Sequence, residues 1–519
     1  MKLRRSARAL GIRGLGAMGC VFIVLSLAAW VRFYEIDKPA IWSDEGFTLI
    51  LSALSPSSII FHTGQDVHPP LYYLVLHVWL DMGGDTIAVA RSLSALFGLG
   101  TVALGIWLTY LLSNQRAAVL AGLLLALFPF AVRYSQEIRM YAMLGFLMVG
   151  ATVAFVYWLR RPEKKVPLMV YAGLMSMGLY THYFAAICLA SHWLFLCLLL
   201  VSKKGFFECR WLQGWWFSNV AVVMLFLPWL PYLKRQLQYS GFNWIQPPDI
   251  DSWVSTIWRF VTFNDGVGSA RWFSFSLPLV LIIISGVLWV HDKSERAWCR
   301  LLVVYIWFPL LFITAISPIY PLFVDRYFLF CALGIPMLLA IAIDASWQVS
   351  RGFSCLLLAV TVFLQGAGVS AVYEAGHAVY NEDNRLDVMA SYLNAHVQTG
   401  DEVVITNGFL YFPFDYYNKT GVVPMLFTPA RQDGTTGKPN GHQIWTLTQP
   451  QADRIYIEKL ECLITGTGRA WVLGSREGAP TAFPETWRVL STFVSGDAQV
   501  QHVQLGHEDA VCPEMLKYQ

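Results

Sequence analysis

The chain has 519 residues, of which 56% are hydrophobic and 15% aromatic, and only 14% carry a charge. Soluble domains average about a quarter charged residues, so this composition excludes an ordinary soluble protein and describes a polytopic membrane protein. The formal net charge of +3 is too small to suggest a nucleic-acid partner; what matters is where Lys and Arg lie relative to the apolar runs.

In chain order, the first element is the apolar run 14–34 behind the basic head "MKLRRSARALGIR". A signal peptide has the same plan, but this run passes into "VRFYEIDKPAIWSDE" without a small-residue cleavage site, so it reads as a retained transmembrane helix. A spanning helix needs about 20 apolar residues. Ten further candidates follow, at 91–112, 117–133, 140–159, 167–182, 184–201, 215–232, 273–290, 300–317, 327–346 and 352–372. The stretch "HPPLYYLVLHVWLDMGG" at 68–84 has only about a dozen apolar residues, which suits a short interfacial helix. Leaving it uncrossed collects the N-terminal basic residues, "RRPEKK", "KKGFFECR" and "HDKSERAWCR" on the cytoplasmic side, as the positive-inside rule requires. Letting it cross would invert every later loop.

Eleven crossings put the tail outside the cytoplasm. From residue 374 hydropathy falls, "NEDNRLDVMASYLNAHV" has a helical pattern, and "DEVVITN", "RIYIEKL" and "RAWVLGS" read as strands. The predicted organisation is a membrane domain over 1–373, with a first outer loop at 35–90, and a small extracytoplasmic α/β domain over 374–519. Seven of the nine cysteines lie in or beside apolar segments and read as small buried hydrophobes. Cys462 and Cys512, in the polar tail, are able to pair in an oxidising compartment.

The same topology gathers the unusual polar residues at one membrane face. They are Asp44 and Glu45 in "AIWSDEGFTL", Asp66 and His68 in "QDVHPPLYY", Arg91, then Tyr134, Glu137 and Arg139 in "VRYSQEIRMYAM", His182 in "THYF" and Arg326 in "VDRYF". Each alone has an ordinary explanation, such as a solvated loop, a satisfied core histidine or a snorkelling arginine. Together they supply carboxylates to activate a hydroxyl and fixed cations to stabilise a departing phosphate. Pro69 and Pro70 fix φ and lack backbone donors, so the chain enters the short helix with His68 just ahead of it. Arg91, Arg139 and Arg326 suit phosphate, because a guanidinium matches two oxygens at once. For the adjacent carboxylates two roles stay open: mutual repulsion that raises basicity, or a shared divalent cation held through oxygen ligands.

"WSDE" in the first outer loop, "HPPLYY" opening a short helix, "ARSLSALFG" opening the next span and "RYSQEIRMYAM" between later spans resemble the GT-C glycosyltransferases, over roughly residues 20–330. The nearest branch is that of the protein O-mannosyltransferases and the lipid A aminoarabinose and galacturonic acid transferases. The resemblance implies inverting transfer of a sugar from a polyprenyl-phosphate carrier to an envelope lipid, glycan or protein, on the outer face of the inner membrane. It implies Asp44 as general base or acceptor-orienting group with Glu45 beside it, His68 where family members carry His or Lys near the donor phosphate, and Arg91 as an outer-face arginine. The tail carries no family motif and does not name the acceptor. The long loop 241–253, rich in Pro and aromatics, is a candidate to close over it. The rival reading, a secondary transporter or flippase, calls for ionisable residues near the midplane and repeated halves, whereas this chain concentrates them at one face and shows no repeat.

Overall fold

The computed structural model describes residues 2–202, 209–238, 245–266, 271–292, 294, 296–378, 385–431, 433–463, 465–476 and 482–506. Part of the basic stretch "KKGFFECR", part of the 241–253 loop, the first residues of the predicted tail helix and Cys512 lie outside the described residues.

The helices of the first half are α1 (Lys2–Phe33), α2 (Ser43–Ser52), α3 (Pro56–Thr63), α4 (Leu71–Gly83), α5 (Ile87–Leu112), α6 (Gln115–Ala126), α7 (Pro129–Ser135), α8 (Tyr141–Arg160), α9 (Val166–Thr181), α10 (Ala185–Val201) and α11 (Cys209–Phe226). They continue with α12 (Leu230–Gln238), α13 (Ile250–Thr262), α14 (Arg271–Ser274), α15 (Ser276–His291), α16 (Trp298–Ile316), α17 (Leu329–Ala332), α18 (Gly334–Ser346) and α19 (Arg351–Ala378). The tail adds α20 (Leu386–His396), α21 (Tyr411–Tyr417) and α22 (Ala452–Ile455). Among the described residues seven segments are long and apolar enough to cross a membrane, and α6 with α7, bent by 57°, make an eighth if the pair is one span. Met18–Phe33, Val166–Thr181 and Ala185–Val201 are apolar but shorter. The protein is therefore a multi-pass helical membrane protein with a small mixed α/β unit, and the figure of eleven crossings is carried forward as a proposal. α4, at 13 residues, is too short to span a bilayer.

The chain divides into two compact units, one of residues 1–36 and 68–372, the other of residues 37–67 and 373–519. In the first unit α8 and the segment Asp325–Ser346 are each 83% buried over their apolar windows, whereas Trp272–His291 is 17% buried; the former form the centre and the latter faces lipid. The bend between α6 and α7 follows from Pro129 at the start of α7, which cannot donate to the preceding turn. The carbonyls left over at the end of α6 are met by Arg32, whose guanidinium donates to Leu125 and Ala126 at 3.1 Å each. A cation there also complements the helix dipole.

The second unit is built on a six-stranded sheet in the order β3-β2-β1-β4-β6-β5, with β1 Glu402–Ile405, β2 Met425–Phe427, β3 Tyr456–Ile457, β4 Arg469–Ser475, β5 Arg488–Ser495 and β6 Ala498–Gln504. β3, β2, β1 and β4 run parallel, while β6 is antiparallel to both β4 and β5. Val404, Ile457, Leu460, Val472 and Val503 form its apolar core. Cys462 is disulfide-bonded.

Residues 37–67, read from sequence as part of one outer loop of the membrane domain, pack with the C-terminal unit. α2 lies so close to α21 that a Cβ at Gly46 would stand 2.7 Å from the Phe412 carbonyl carbon and the Pro413 nitrogen. The Phe47 and Phe412 rings meet edge-on at 5.8 Å, and the Ile41 N–H donates to the Tyr417 hydroxyl at 3.1 Å. Further along, His62 Nδ1 and Thr446 Oγ1 are 2.9 Å apart, and the Gln443 N–H donates to the Gln65 carbonyl at 3.1 Å. Gly46→Ala forces a methyl into backbone atoms that cannot rotate away, and overpacking of this kind costs about 1–3 kcal/mol. Denaturant unfolding followed by Trp fluorescence is expected to show a lower midpoint for this variant; an unchanged midpoint would show that the seat yields.

Candidate active site

His68 sits immediately before Pro69-Pro70, and α4 starts at Leu71, as its proline pair dictates. The first turn of α4 then buries Tyr72 and Tyr73 completely. The Tyr72 hydroxyl hydrogen-bonds Ser94 Oγ on α5 at 3.1 Å, and the Tyr73 hydroxyl accepts from Arg139 Nη1 at 3.5 Å. Ser94 Oγ also donates to the Arg139 carbonyl at 3.4 Å. α4 is thereby fixed to α5 and to the link between α7 and α8.

That link, residues 136–140, is held at both ends. Gln136 Nε2 donates to the carbonyls of Arg32 and Tyr34 at 3.2 and 2.9 Å, and Glu137, 1% exposed, pairs with Arg133 at 3.1 Å. Arg139, between them and α8, is 4% exposed.

His182 occupies the break between α9 and α10. Its N–H donates to the Gly178 carbonyl at 2.8 Å, and its Nδ1 accepts the Phe184 N–H at 3.2 Å. That bond leaves Nε2 to carry the proton of the neutral ring, which makes His182 a donor. Its ring lies 5.5 Å from that of His68, 4.9 Å from Tyr327 and 6.2 Å from Tyr141, centroid to centroid. Tyr134 joins through Tyr141 at 5.3 Å, and the Arg326 guanidinium lies 6.0 Å from the Tyr327 ring centre.

His68 meets the His182 ring, Arg139 reaches Tyr73 on the helix that His68 precedes, and Arg326 lies against Tyr327, which packs on His182. Four segments distant in sequence therefore bring two guanidiniums and two imidazoles to one place within the first unit. Guanidinium and imidazole donors are the groups that match phosphate oxygens.

The other sequence candidates are placed differently. Arg91, 2% exposed, donates from Nη1 to the Ile36 carbonyl at 2.9 Å, tying α5 to the chain after α1. Asp44, Glu45 and Asp66 belong to the second unit. Asp44 and Glu45 stand in the first turn of α2. Glu45 is 1% and Asp66 3% exposed. Nearby, burial lowers the His62 pKa below its ordinary value. Among the described residues no group of three or more His, Cys, Asp or Glu side chains is placed to hold a metal ion. Asp44 and Glu45 remain the pair able to share a divalent cation, whose other positions water and substrate phosphate oxygens would fill. Tyr73 was not singled out from sequence, although its place three residues after Pro70 in "HPPLYY" puts it on the first turn of the same helix.

No protein-family model matches the chain, and no curated protein matches it in sequence. Solved structures do. ArnT from Cupriavidus metallidurans in the apo state is similar with a TM-score of 0.61 at 15% identity, covering 94% of this chain and 98% of that one. The same protein bound to undecaprenyl phosphate gives 0.58 at 15% identity, covering 93% and 98%. The Archaeoglobus fulgidus oligosaccharyltransferase in complex with Zn and sulfate gives 0.54 at 11% identity, covering 88% of this chain and 68% of that one. Identities this low speak for the fold alone, but they do so along nearly the whole chain: the protein has the fold of the GT-C membrane glycosyltransferases.

Proposed function

We propose that the protein is a glycosyltransferase of the inner membrane that moves a sugar from a polyprenyl-phosphate carrier to a cell-envelope lipid, glycan or protein on the extracytoplasmic face. The observation that supports this reading is the cluster of His68, Arg139, His182 and Arg326, whose side chains suit a phosphate, in a chain whose fold neighbour ArnT has been captured with undecaprenyl phosphate. The Cys462 disulfide fits an oxidising compartment for the C-terminal unit, and the basic loops fit eleven crossings.

The reaction assigned is a single inverting displacement. An acceptor hydroxyl oxygen attacks the anomeric carbon from the face opposite the carrier, the bond from that carbon to the phosphate oxygen breaks, and the electron pair leaves with the polyprenyl phosphate. Arg139 and Arg326 meet the two oxygens that gain charge, and His182 donates from Nε2. His68 adds a second imidazole, with Tyr134, Glu137 and Arg91 assigned to the donor in the same unit. The hydroxyl proton passes to Asp44, the base implied by the resemblance, and Glu45 and Asp66 are assigned with it to the acceptor.

Against transport stand the gathering of the candidate residues at one face and the lack of repeated halves in the sequence; the buried His192 is bonded on both nitrogens, to Tyr171 and Thr152 at 3.1 Å each. The test is a reconstituted assay: purified protein in liposomes, a panel of polyprenyl-phosphate sugars and envelope extracts as acceptors. Sugar transfer with release of polyprenyl phosphate is expected for at least one donor. If the folded protein neither transfers from nor binds any of the panel, the reading fails.

A further inference from the structure

We infer that α13 is a clamp that sets the geometry of the phosphate cluster, and that Arg259 is its positioning residue; the inference rests on the glycosyl-transfer reading above. α13 is a discrete element. At its start Asp249 Oδ1 accepts the Ser252 N–H at 2.8 Å and Ser252 Oγ accepts the Asp249 N–H at 3.3 Å, a reciprocal cap that defines the first turn. At its end Phe263 takes φ 59°, a left-handed stop rare for a large side chain.

Two separate routes lead from this helix to the cluster. On its half-exposed face Arg259 donates to Asp325 Oδ2 at 3.0 Å, while the other oxygen of the same carboxylate accepts the Arg326 N–H at 2.7 Å. One carboxylate therefore joins α13 to the backbone of the residue that supplies a cluster guanidinium, and the ring of the next residue, Tyr327, packs tilted against His182 at 4.9 Å. Trp253 reinforces this grip by lying 6.1 Å from Phe323, just upstream of the same turn. On its buried face Phe260, fully buried, packs on Phe130 of α7 at 4.8 Å. Phe130 meets Tyr134 at 4.9 Å, which in turn reaches Tyr141. A shift of α13 thus moves both the Arg326 and the Tyr141 sides of the cluster, although nothing in the helix is required to touch the donor.

The Arg259 and Asp325 side chains are 45% and 21% exposed, so solvent screens the pair and its effect is modest. Removing it with Arg259→Gln or Asp325→Asn is expected to raise the KM for the sugar donor by about two- to five-fold with kcat unchanged. Arg259→Lys restores most of the loss, and the double variant is no worse than either single one, because both act through one bond. Additive effects in the double variant, or a fall in kcat instead of a rise in KM, would overturn the inference by making Arg259 an independent contact. A readout without ligand separates the clamp from the parent reading. Amide exchange over residues 325–328 of the full-length protein is expected to quicken in Arg259→Gln, whatever donor the protein uses; unchanged exchange there defeats the clamp even in an active enzyme. Wild-type protein that binds no polyprenyl phosphate, yet shows the exchange effect, defeats the transferase reading and leaves the mechanical coupling standing.

Discussion

Asp44→Asn is expected to abolish turnover while leaving the protein folded and able to bind its donor. A positioned base contributes about 10²–10⁴-fold to such a reaction, and the amide keeps the shape of the carboxylate without its proton affinity. The local helix survives the change, since the Thr48 hydroxyl donates to the Asp44 backbone carbonyl at 2.6 Å and the seat of α2 on α21 runs through Gly46 and Phe47. The measurement is kcat at saturating donor, with the unfolding midpoint as control. Retention of full turnover by a folded Asp44→Asn protein would remove Asp44 as the base. Glu45→Gln belongs in the same experiment, because its carboxylate is almost entirely shielded; a larger loss there than at Asp44 transfers the role to the neighbour.

The second large effect is at Arg139. Hydrogen bonds to a charged group contribute about 1.5–3 kcal/mol each, so Arg139→Ala is expected to weaken binding of a polyprenyl phosphate by about 10- to 150-fold. Arg139→Lys recovers part of this, since lysine supplies the charge but not the two-oxygen geometry. Tyr73→Phe, which removes only the phenol that receives the Arg139 Nη1 hydrogen, has a smaller effect. Titration of the detergent-solubilised protein with polyprenyl phosphate reads all three. Wild-type affinity in a folded Arg139→Ala protein would show that the cluster is not where the phosphate binds.

Seven of the spans were legible as single long apolar runs, and α4 was legible because its run is too short; the run 117–133 instead bends between α6 and α7, and Met18–Phe33, Val166–Thr181 and Ala185–Val201 are shorter than a full span. The cluster was legible in part for a different reason: His68, Arg139, His182 and Arg326 are polar residues at the ends of apolar segments, where only function or snorkelling keeps them. What could not be read was partnership over distance. Nothing near Gly46 signals that the main chain of Phe412 will lie against it, nor does Arg259, one arginine in the last turn of an amphipathic helix, announce its bond to Asp325. The tail shows the same division. "RAWVLGS" became β4 over its full length, whereas in "RIYIEKL" only Tyr456 and Ile457 pair as a strand, and the edge strand β5, largely exposed, lacked the apolar pattern that marks a buried one.

The seat of α2 on α21 also has a consequence for biogenesis. Residues 37–67 leave the ribosome early, yet the surface that receives them lies in 373–519, about 300 residues later. At synthesis rates of about 5–20 residues per second, the segment bearing Asp44 and Glu45 waits about 15–60 s before its partner exists. Throughout that interval the carboxylates assigned to chemistry have no fixed surroundings. If Asp44 and Glu45 carry the proposed chemistry, activity waits on the folding of the C-terminal unit.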